Sequence, residues 1–501
     1  MSQVKAGALL SYITLAINIL IGIAYTPWMI KSIGSSNYGL YTLAMSVINI
    51  FVFDFGLGDA VRRFIAKYRA EGNDDRAKKF MSVTLRLYLL IDIFIIILLV
   101  GLFLIIPSIY KGLTPIEIDK FKIVYAVAAT FSVISFPLIT ADGVLSGCEK
   151  FIQLKFCDFI HKIFIVVAMS ICLFYGYGLY ALVTINAIAG IITIFAKWVC
   201  IYKFTEFTFK IDYWDNQLLR SIVGFSIWVL ISAICQRCVL SLAPSILGIY
   251  NTTTEITLFS LALSIEGYYY TFANAINGLF LPRISNLIAK NKENDILPLM
   301  IRVGNIQFFI IALLFLGLIC FGEHFIEIWV GNQFIPVYYC MIIMIFPSFI
   351  SLPQNIAYTT MVAKNKVRYN AYGSLIKAST NILLAFPLTK LYGAWGMSLS
   401  VAISYMLSVL YSNYNFITIL KLNIQDFFIK VFLSKLVPFC ILFIIGILIN
   451  RFIYVYSWIG LILKAFIFTI VYIMIMFVFM KRNEKVEFVE PIKRLLHIKK
   501  L

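Results

Sequence analysis

Charge is missing from long stretches of this chain. Residues 163–196, 334–363 and 391–420 contain no Asp, Glu, Lys or Arg. Each is too long for a buried strand, and at about 20 residues per crossing each holds one or two membrane-spanning helices. The runs do not alternate apolar with polar positions, so an outer-membrane type β-barrel is excluded. The pattern predicts spans at 8–30, 39–58, 81–106, 122–143, 161–176, 179–200, 221–243, 253–277, 302–322, 335–358, 372–390, 393–414, 432–450 and 458–480. That is fourteen helices, an even number, which puts both termini on one side.

Lysine and arginine test that count, because cytoplasmic loops are enriched in them. Of 42, thirty-two fall in the loops on the side of the termini, six in the opposite loops, and Arg86, Arg237, Lys377 and Lys464 lie inside spans. One missed or invented helix would invert every later loop and destroy this bias. The sequence therefore predicts cytoplasmic termini.

The chain also repeats itself. Ser135, Phe136 and Pro137 are matched by Ser351, Leu352 and Pro353, and at the same offset Lys150 meets Lys366. Tyr177 and Gly178 are answered by Tyr392 and Gly393, and residues 64–67 by 287–290. Six helices separate the copies, so both enter the membrane in the same direction, as a parallel repeat. The expected organisation is an all-α integral membrane protein with one six-helix lobe over 1–210 and a second over 216–425 around a central cavity. Two appended helices follow over 432–480, with a basic cytoplasmic tail over 481–501.

Composition strengthens the membrane reading. The chain is 61% hydrophobic and 13% charged over 501 residues, with mean hydropathy +0.93, against about 25% charged residues in soluble proteins. The net charge of +18 is spread over short loops rather than gathered on one face, which argues against nucleic acid. Nine scattered cysteines form no disulfide framework. The first apolar segment is longer than the core of a signal peptide and no small-residue cleavage site follows it, so it is expected to be retained as a span.

Residues 33–79 (IGSSNYGLYTLAMSVINIFVFDFGLGDAVRRFIAKYRAEGNDDRAKK) resemble the bacterial polysaccharide-lipid flippases of the Wzx or O-antigen exporter type. Tyr-Gly-Leu-Tyr opens the second helix, and Asp-Phe-Gly-Leu-Gly with a basic Ala-Val-Arg-Arg closes it. Gly147 to Phe151 and Pro282 to Ala289 look like further cytoplasmic loops of that family. The resemblance implies the superfamily that also holds the multidrug MATE antiporters and the lipid II flippases, with alternating access between two lobes. It implies a location in the bacterial cytoplasmic membrane and a lipid-linked glycan of the undecaprenyl-pyrophosphate type as substrate. Membrane lipids and a glycan polymerase or glycosyltransferase are the implied partners, and nucleic acid is not.

Enzyme constellations are absent from the sequence. His161, His324 and His497 are far apart, and no metalloprotease, serine hydrolase or Walker pattern occurs. No catalytic residue, metal or cofactor is expected. Cys235 and Cys238 form a Cys-x-x-Cys within an apolar helix, where small residues serve packing. A glycosyltransferase or polymerase is disfavoured because the largest loop on the outer side, residues 107–122, is short.

Ionisable groups within spans carry more weight, since a charge at mid-bilayer costs about 2.5–3.5 kcal/mol unless it is paired or faces water. Arg237 stands deep in its helix, and its guanidinium can take two phosphate oxygens in parallel. The bland reading of it is an ion pair with Glu266 or Glu255. Arg86 and Asp92, six residues apart, cannot face each other on one helix, and Asp54 or Asp59 is an available partner for Arg86. Lys377 can snorkel, and Lys464, in an appended helix, is expected at lipid headgroups. Asn18, Asn49, Asn274 and Asn277 offer amides, and Tyr268 and Tyr269 offer rings, to a sugar. For each of these, packing between helices is the alternative. The leading function is export of a lipid-linked oligosaccharide. The alternative is a MATE-like cation-coupled multidrug antiporter, against which the first helix carries no Asp or Glu that could bind a coupling ion.

Overall fold

The computed structural model describes residues 3–51, 57–205, 213, 215–274, 280–453, 457–480 and 485. No strand occurs among them. In lipid every backbone polar group must be satisfied within its own segment, and a helix does this without a neighbour.

The first unit comprises residues 1–260 and 382–397. It contains α1 (Gln3–Ile33), α2 (Ser35–Phe51), α3 (Leu57–Ala70), α4 (Asp74–Ile109), α5 (Pro115–Ser135), α6 (Ala141–Gly147), α7 (Phe151–Phe174), α8 (Leu179–Phe204), α9 (Asn216–Leu240) and α10 (Ala243–Tyr250), and begins α11 (Thr253–Asn274). The second unit comprises residues 261–381 and 398–501. It continues α11 and adds α12 (Leu281–Ala289), α13 (Ile296–Val330), α14 (Pro336–Ser351), α15 (Asn355–Ala363), α16 (Val367–Thr418) apart from its residues 382–397, which belong to the first unit, α17 (Ile424–Val431), α18 (Leu436–Phe452) and α19 (Trp458–Phe479).

Among the described residues nine helical segments are long and apolar enough to cross a membrane, or ten if the bent pair α5 and α6 is one span. The described parts of the expected spans fall largely on helix. Two of them lie in α16, a 52-residue helix broken only at Gly393 (φ 56°, ψ −132°). That left-handed conformation favours glycine. Some helices run well past the expected ends. α7 begins ten residues early because its first turns, with Lys155 and Asp158, are polar and stand outside an apolar window. The seventh expected span continues through α10 to Tyr250.

The sequence repeat has a backbone counterpart. A short 3₁₀ segment opens at Pro137 between α5 and α6, and another holds Pro353 between α14 and α15. After α6 and α15 the chain turns through left-handed Glu149 (φ 58°) and Asn365 (φ 56°). The next amide reaches back to close the helix: Lys150 donates to the Leu145 carbonyl and Lys366 to that of Met361, both at 2.8 Å. This is a helix C-terminal cap of the Schellman type.

Two basic loops hold helices that apolar patterning does not announce. α3 turns Val61, Ile65 and Tyr68 inward and Arg62, Arg63 and Lys67 outward. Its buried edge packs on α6, where Gly143 and Gly147 let Val61 and Ile65 approach. α12 is the short helix of the corresponding loop in the second half. Of the basic tail only Lys485 is described.

Candidate functional site

One carboxylate ties three helix starts of the first unit together. Thr114 caps α5, and Glu117 reaches back to it: the Thr114 amide and hydroxyl each donate to Glu117 Oε2 at 2.9 Å. This reciprocal cap leaves Oε1 free to face other elements. There it accepts from the hydroxyls of Ser36 at 2.7 Å and Thr253 at 2.8 Å, at the beginnings of α2 and α11. One turn on, the Thr257 hydroxyl donates to the Ser35 carbonyl at 2.8 Å. Gly39 permits this closeness, since a Cβ there would collide with the Thr253 carbonyl.

The break in α16 joins the same group. Asn251 donates from Nδ2 to the Thr389 carbonyl at 3.0 Å, and the Ala394 amide donates to Glu255 Oε2 at 2.7 Å. An amide freed by the kink at Gly393 thus finds a charged acceptor. Hydrogen bonds to ionised acceptors are the stronger kind. These contacts form a polar clasp at the starts of α2, α5 and α11 and the break in α16. None of its links is a cation paired with an anion.

In the second unit Glu266 of α11 accepts from the Ser348 hydroxyl of α14 at 3.1 Å. Lys377 of α16 acts electrostatically on the same carboxylate and sits over the ring of Tyr405 at 4.2 Å from its centre. The arrangement places an acid, a base and an aromatic face within one helical cluster. Such a set can hold a hydroxylated or charged group through hydrogen bonds and cation–π attraction.

Arg237 is half-buried in the last turn of α9. The span continues through α10 for another thirteen residues, so at about 1.5 Å per residue the arginine stands roughly 20 Å from the Tyr250 end. Glu255 and Glu266, both offered by the sequence as partners for Arg237, have the contacts given above. Arg86 is half-buried on α4. Asp92, four residues beyond the buried Tyr88, is 7% exposed, and its Oδ1 has no hydrogen-bond partner among the described residues. Asn18 is half-buried and Asn49 exposed. Tyr269 is buried and donates to the Ile311 carbonyl at 3.3 Å, while Tyr268 is half-buried. Asp54, Asn277 and the side chain of Asn274 lie outside the described residues.

Three groups escape sequence reasoning. The clasp is one, although Thr114-x-x-Glu117 is a legible capping signature. A second polar link joins Asn186 Nδ2 to the Tyr41 hydroxyl at 3.1 Å. The third is Lys197, whose Nζ lies 2.8 Å from both Asp142 and Asp158. Lys464, expected to snorkel to headgroups, is 3% exposed and turned inward among helices. Among the described residues no cluster of His, Cys, Asp or Glu could hold a metal ion.

The described residues form a multi-pass helical membrane architecture with charged groups buried in its spans. The fold is that of the lipid II flippase MurJ in an inward closed conformation, with a TM-score of 0.72, 16% identity, and coverage of 94% of this chain and 98% of that one. It is also similar to an inward-facing multidrug resistance MATE transporter of the MOP superfamily, with a TM-score of 0.67, 13% identity, and coverage of 80% and 95%. The chain belongs to the family described as "Polysaccharide biosynthesis protein", which matches residues 4–288, more than half its length. A curated relative, "Probable low-salt glycan biosynthesis flippase Agl15" of Haloferax volcanii, is 21% identical over 196 residues. That match spans 39% of this chain and 42% of the relative.

Proposed function

We propose that the protein is a flippase that carries a polyprenyl-pyrophosphate-linked oligosaccharide, of the undecaprenyl type, from the inner to the outer leaflet of the bacterial cytoplasmic membrane. The observation that carries this reading is membership of a polysaccharide biosynthesis family on a fold shared with a lipid II flippase. In this reading both termini are cytoplasmic, and lobes over 1–210 and 216–425 alternate in access. The appended helices are 432–480, and glycan polymerases or glycosyltransferases are partners. Moving an anionic headgroup out of a negative interior is downhill by about 2.3 kcal/mol per charge per 100 mV. The membrane potential thus supplies part of the drive.

Arg237 is the proposed pyrophosphate contact, supported by Arg86 and Lys377. Asn18, Asn49, Asn274, Asn277, Tyr268 and Tyr269 are proposed glycan contacts. The clasp around Glu117 is the outer gate: its hydroxyl and amide links to carboxylates exchange readily with water, so it can open without stranding a buried ion pair.

Deletion should abolish a surface polysaccharide and accumulate its lipid-linked repeat unit on the cytoplasmic face. Normal glycan export with new drug sensitivity would select the MATE-like antiporter instead. At matched membrane levels, Arg237→Ala should lower export at least tenfold, since hydrogen bonds to ionised groups are worth about 1.5–3 kcal/mol each. Arg237→Lys, which keeps the charge but not the fork, should retain part. Restoration of export by combining Arg237→Ala with Glu266→Gln or Glu255→Gln would reassign Arg237 to a structural pair.

A further inference from the structure

In the second unit α13, α18 and α19 enclose a cavity of about 350 Å³, within the range of about 300–1,000 Å³ usual for small-ligand sites. Its wall carries Glu323, His324 and Glu327 from the last turns of α13, Asn450 and Arg451 from the end of α18, and Lys464 from the second turn of α19. Lys464 and His324 are buried, at 3% and 5% exposure. Lys464 Nζ donates to His324 Nδ1 at 3.0 Å and to Asn450 Oδ1 at 2.9 Å. A ring nitrogen that accepts carries no proton, so both partners of this buried cation are neutral acceptors.

The remaining charges around the cavity are similarly uncommitted. Among the described residues, Glu323, Glu327, Arg451 and Lys464 make no ion pair with one another or with any other group. Lys464 is buried and Glu327 half-buried, while Glu323 and Arg451 stand exposed at the mouth of the cavity; a charge buried as Lys464 is persists in such a place only if something else answers it. Two cations and two anions give the wall no net charge. An anion site would show an excess of cations and a metal site a convergence of carboxylates, whereas a balanced and unpaired set complements a ligand that bears both signs.

The surroundings say where that ligand comes from. Phe452 at the end of α18 and Ile459 and Ile462 in the first turns of α19 are 80%, 78% and 64% exposed, as side chains facing acyl chains would be. Lys464 lies six residues into α19, roughly 9 Å below its start. The cavity therefore opens at headgroup depth on the face where α18 ends and α19 begins, the outer face in the proposed orientation.

We infer that this cavity binds the headgroup of a zwitterionic phospholipid with a primary ammonium, the phosphatidylethanolamine class. Lys464 and Arg451 take the phosphate, and Glu323 and Glu327 accept from the ammonium. The acyl chains follow the exposed apolar surface of α18 and α19. The site lies on the appended helices, apart from the groups proposed to contact cargo, and its occupancy can be read without transport.

The experiment is native mass spectrometry of the full-length protein in detergent, titrated with short-chain phosphatidylethanolamine, phosphatidylcholine and phosphatidylglycerol. Phosphatidylethanolamine should bind about tenfold more tightly than phosphatidylglycerol, the value of roughly one charge-assisted hydrogen bond. Phosphatidylcholine, which has no N–H donors, should fall between them. Lys464→Met should weaken phosphatidylethanolamine about tenfold. The double variant Glu323→Gln with Glu327→Gln, made at the cavity rim where folding is little affected, should turn the preference toward phosphatidylglycerol, because the wall then carries two uncompensated cations. Equal binding of the two lipids by the parent protein, or an unchanged preference in the double variant, would overturn the inference. Neither outcome bears on the proposed transport.

Discussion

Lys197 and Lys464 are both buried lysines on apolar helices, one in each unit, and they are held by opposite means. Lys197 lies between two carboxylates, Asp142 and Asp158, at 2.8 Å from each. Lys464 has an imidazole and an amide. A cation between two anions is spoken for: removing it strands charge, and a ligand cannot displace partners that hold it so strongly. A cation on neutral acceptors keeps most of its field for something else. Glu117 is the anionic counterpart of Lys464, since its carboxylate is held by hydroxyls and an amide. On the proposals above, ion pairing of this kind belongs to parts of the molecule that stay put, and neutral support to those that exchange partners.

The sharpest way to break this contrast is Lys197→Met. The loss of the cation should cost about 1–3 kcal/mol rather than the 3–5 of a fully buried pair, because Asp142 and Asp158 are 49% and 32% exposed and water screens them. Thermal unfolding in detergent would register this. Adding Asp142→Asn and Asp158→Asn should recover most of the loss; if it does not, packing rather than charge accounts for the effect.

A smaller effect is expected at the clasp. Glu117→Gln keeps the shape but exchanges charge-assisted bonds for neutral ones, a difference of about 1 kcal/mol or roughly fivefold in the closed population. In an otherwise cysteine-free protein, Ser35→Cys should then react about fivefold faster with a membrane-impermeant thiol reagent added from outside. Unchanged labelling would show that the clasp does not gate.

The smallest stability change belongs to Lys464→Met. Its neutral partners line a cavity where water can replace the ammonium, so the cost should stay below about 1 kcal/mol. A loss as large as that of Lys197→Met would erase the distinction between the two lysines.

Lipid makes spans easy to read and sites hard. The expected 458–480 and 179–200 lie close to α19 (Trp458–Phe479) and α8 (Leu179–Phe204), because hydrocarbon imposes one demand on every residue of a crossing. α3 escapes because its apolar residues are interleaved with charge, and α12 because nine residues are too few for a crossing. Arg237 and Lys377 stand out as charges where charge is costly, and their helices are described where the pattern put them. The clasp does not stand out. Ser36, Thr253 and Asn251 are ordinary polar residues, and their partners include backbone carbonyls and amides that carry no sequence signature. The inward turn of Lys464 was also illegible, since only packing brings His324 and Asn450, 140 and 14 positions away, within reach of it.

The paired breaks at Pro137 and Pro353, each followed by a left-handed residue and the same carbonyl cap, bear on descent. Around them sequence likeness has faded to a few residues, while the backbone path has been kept. The simplest history is that an ancestor half this size already possessed the angled helix, and that fusion of two copies fixed it twice. On that account the bend is the older trait, and the cationic and aromatic groups that now differ between the copies were acquired afterwards on a frame that was already bent.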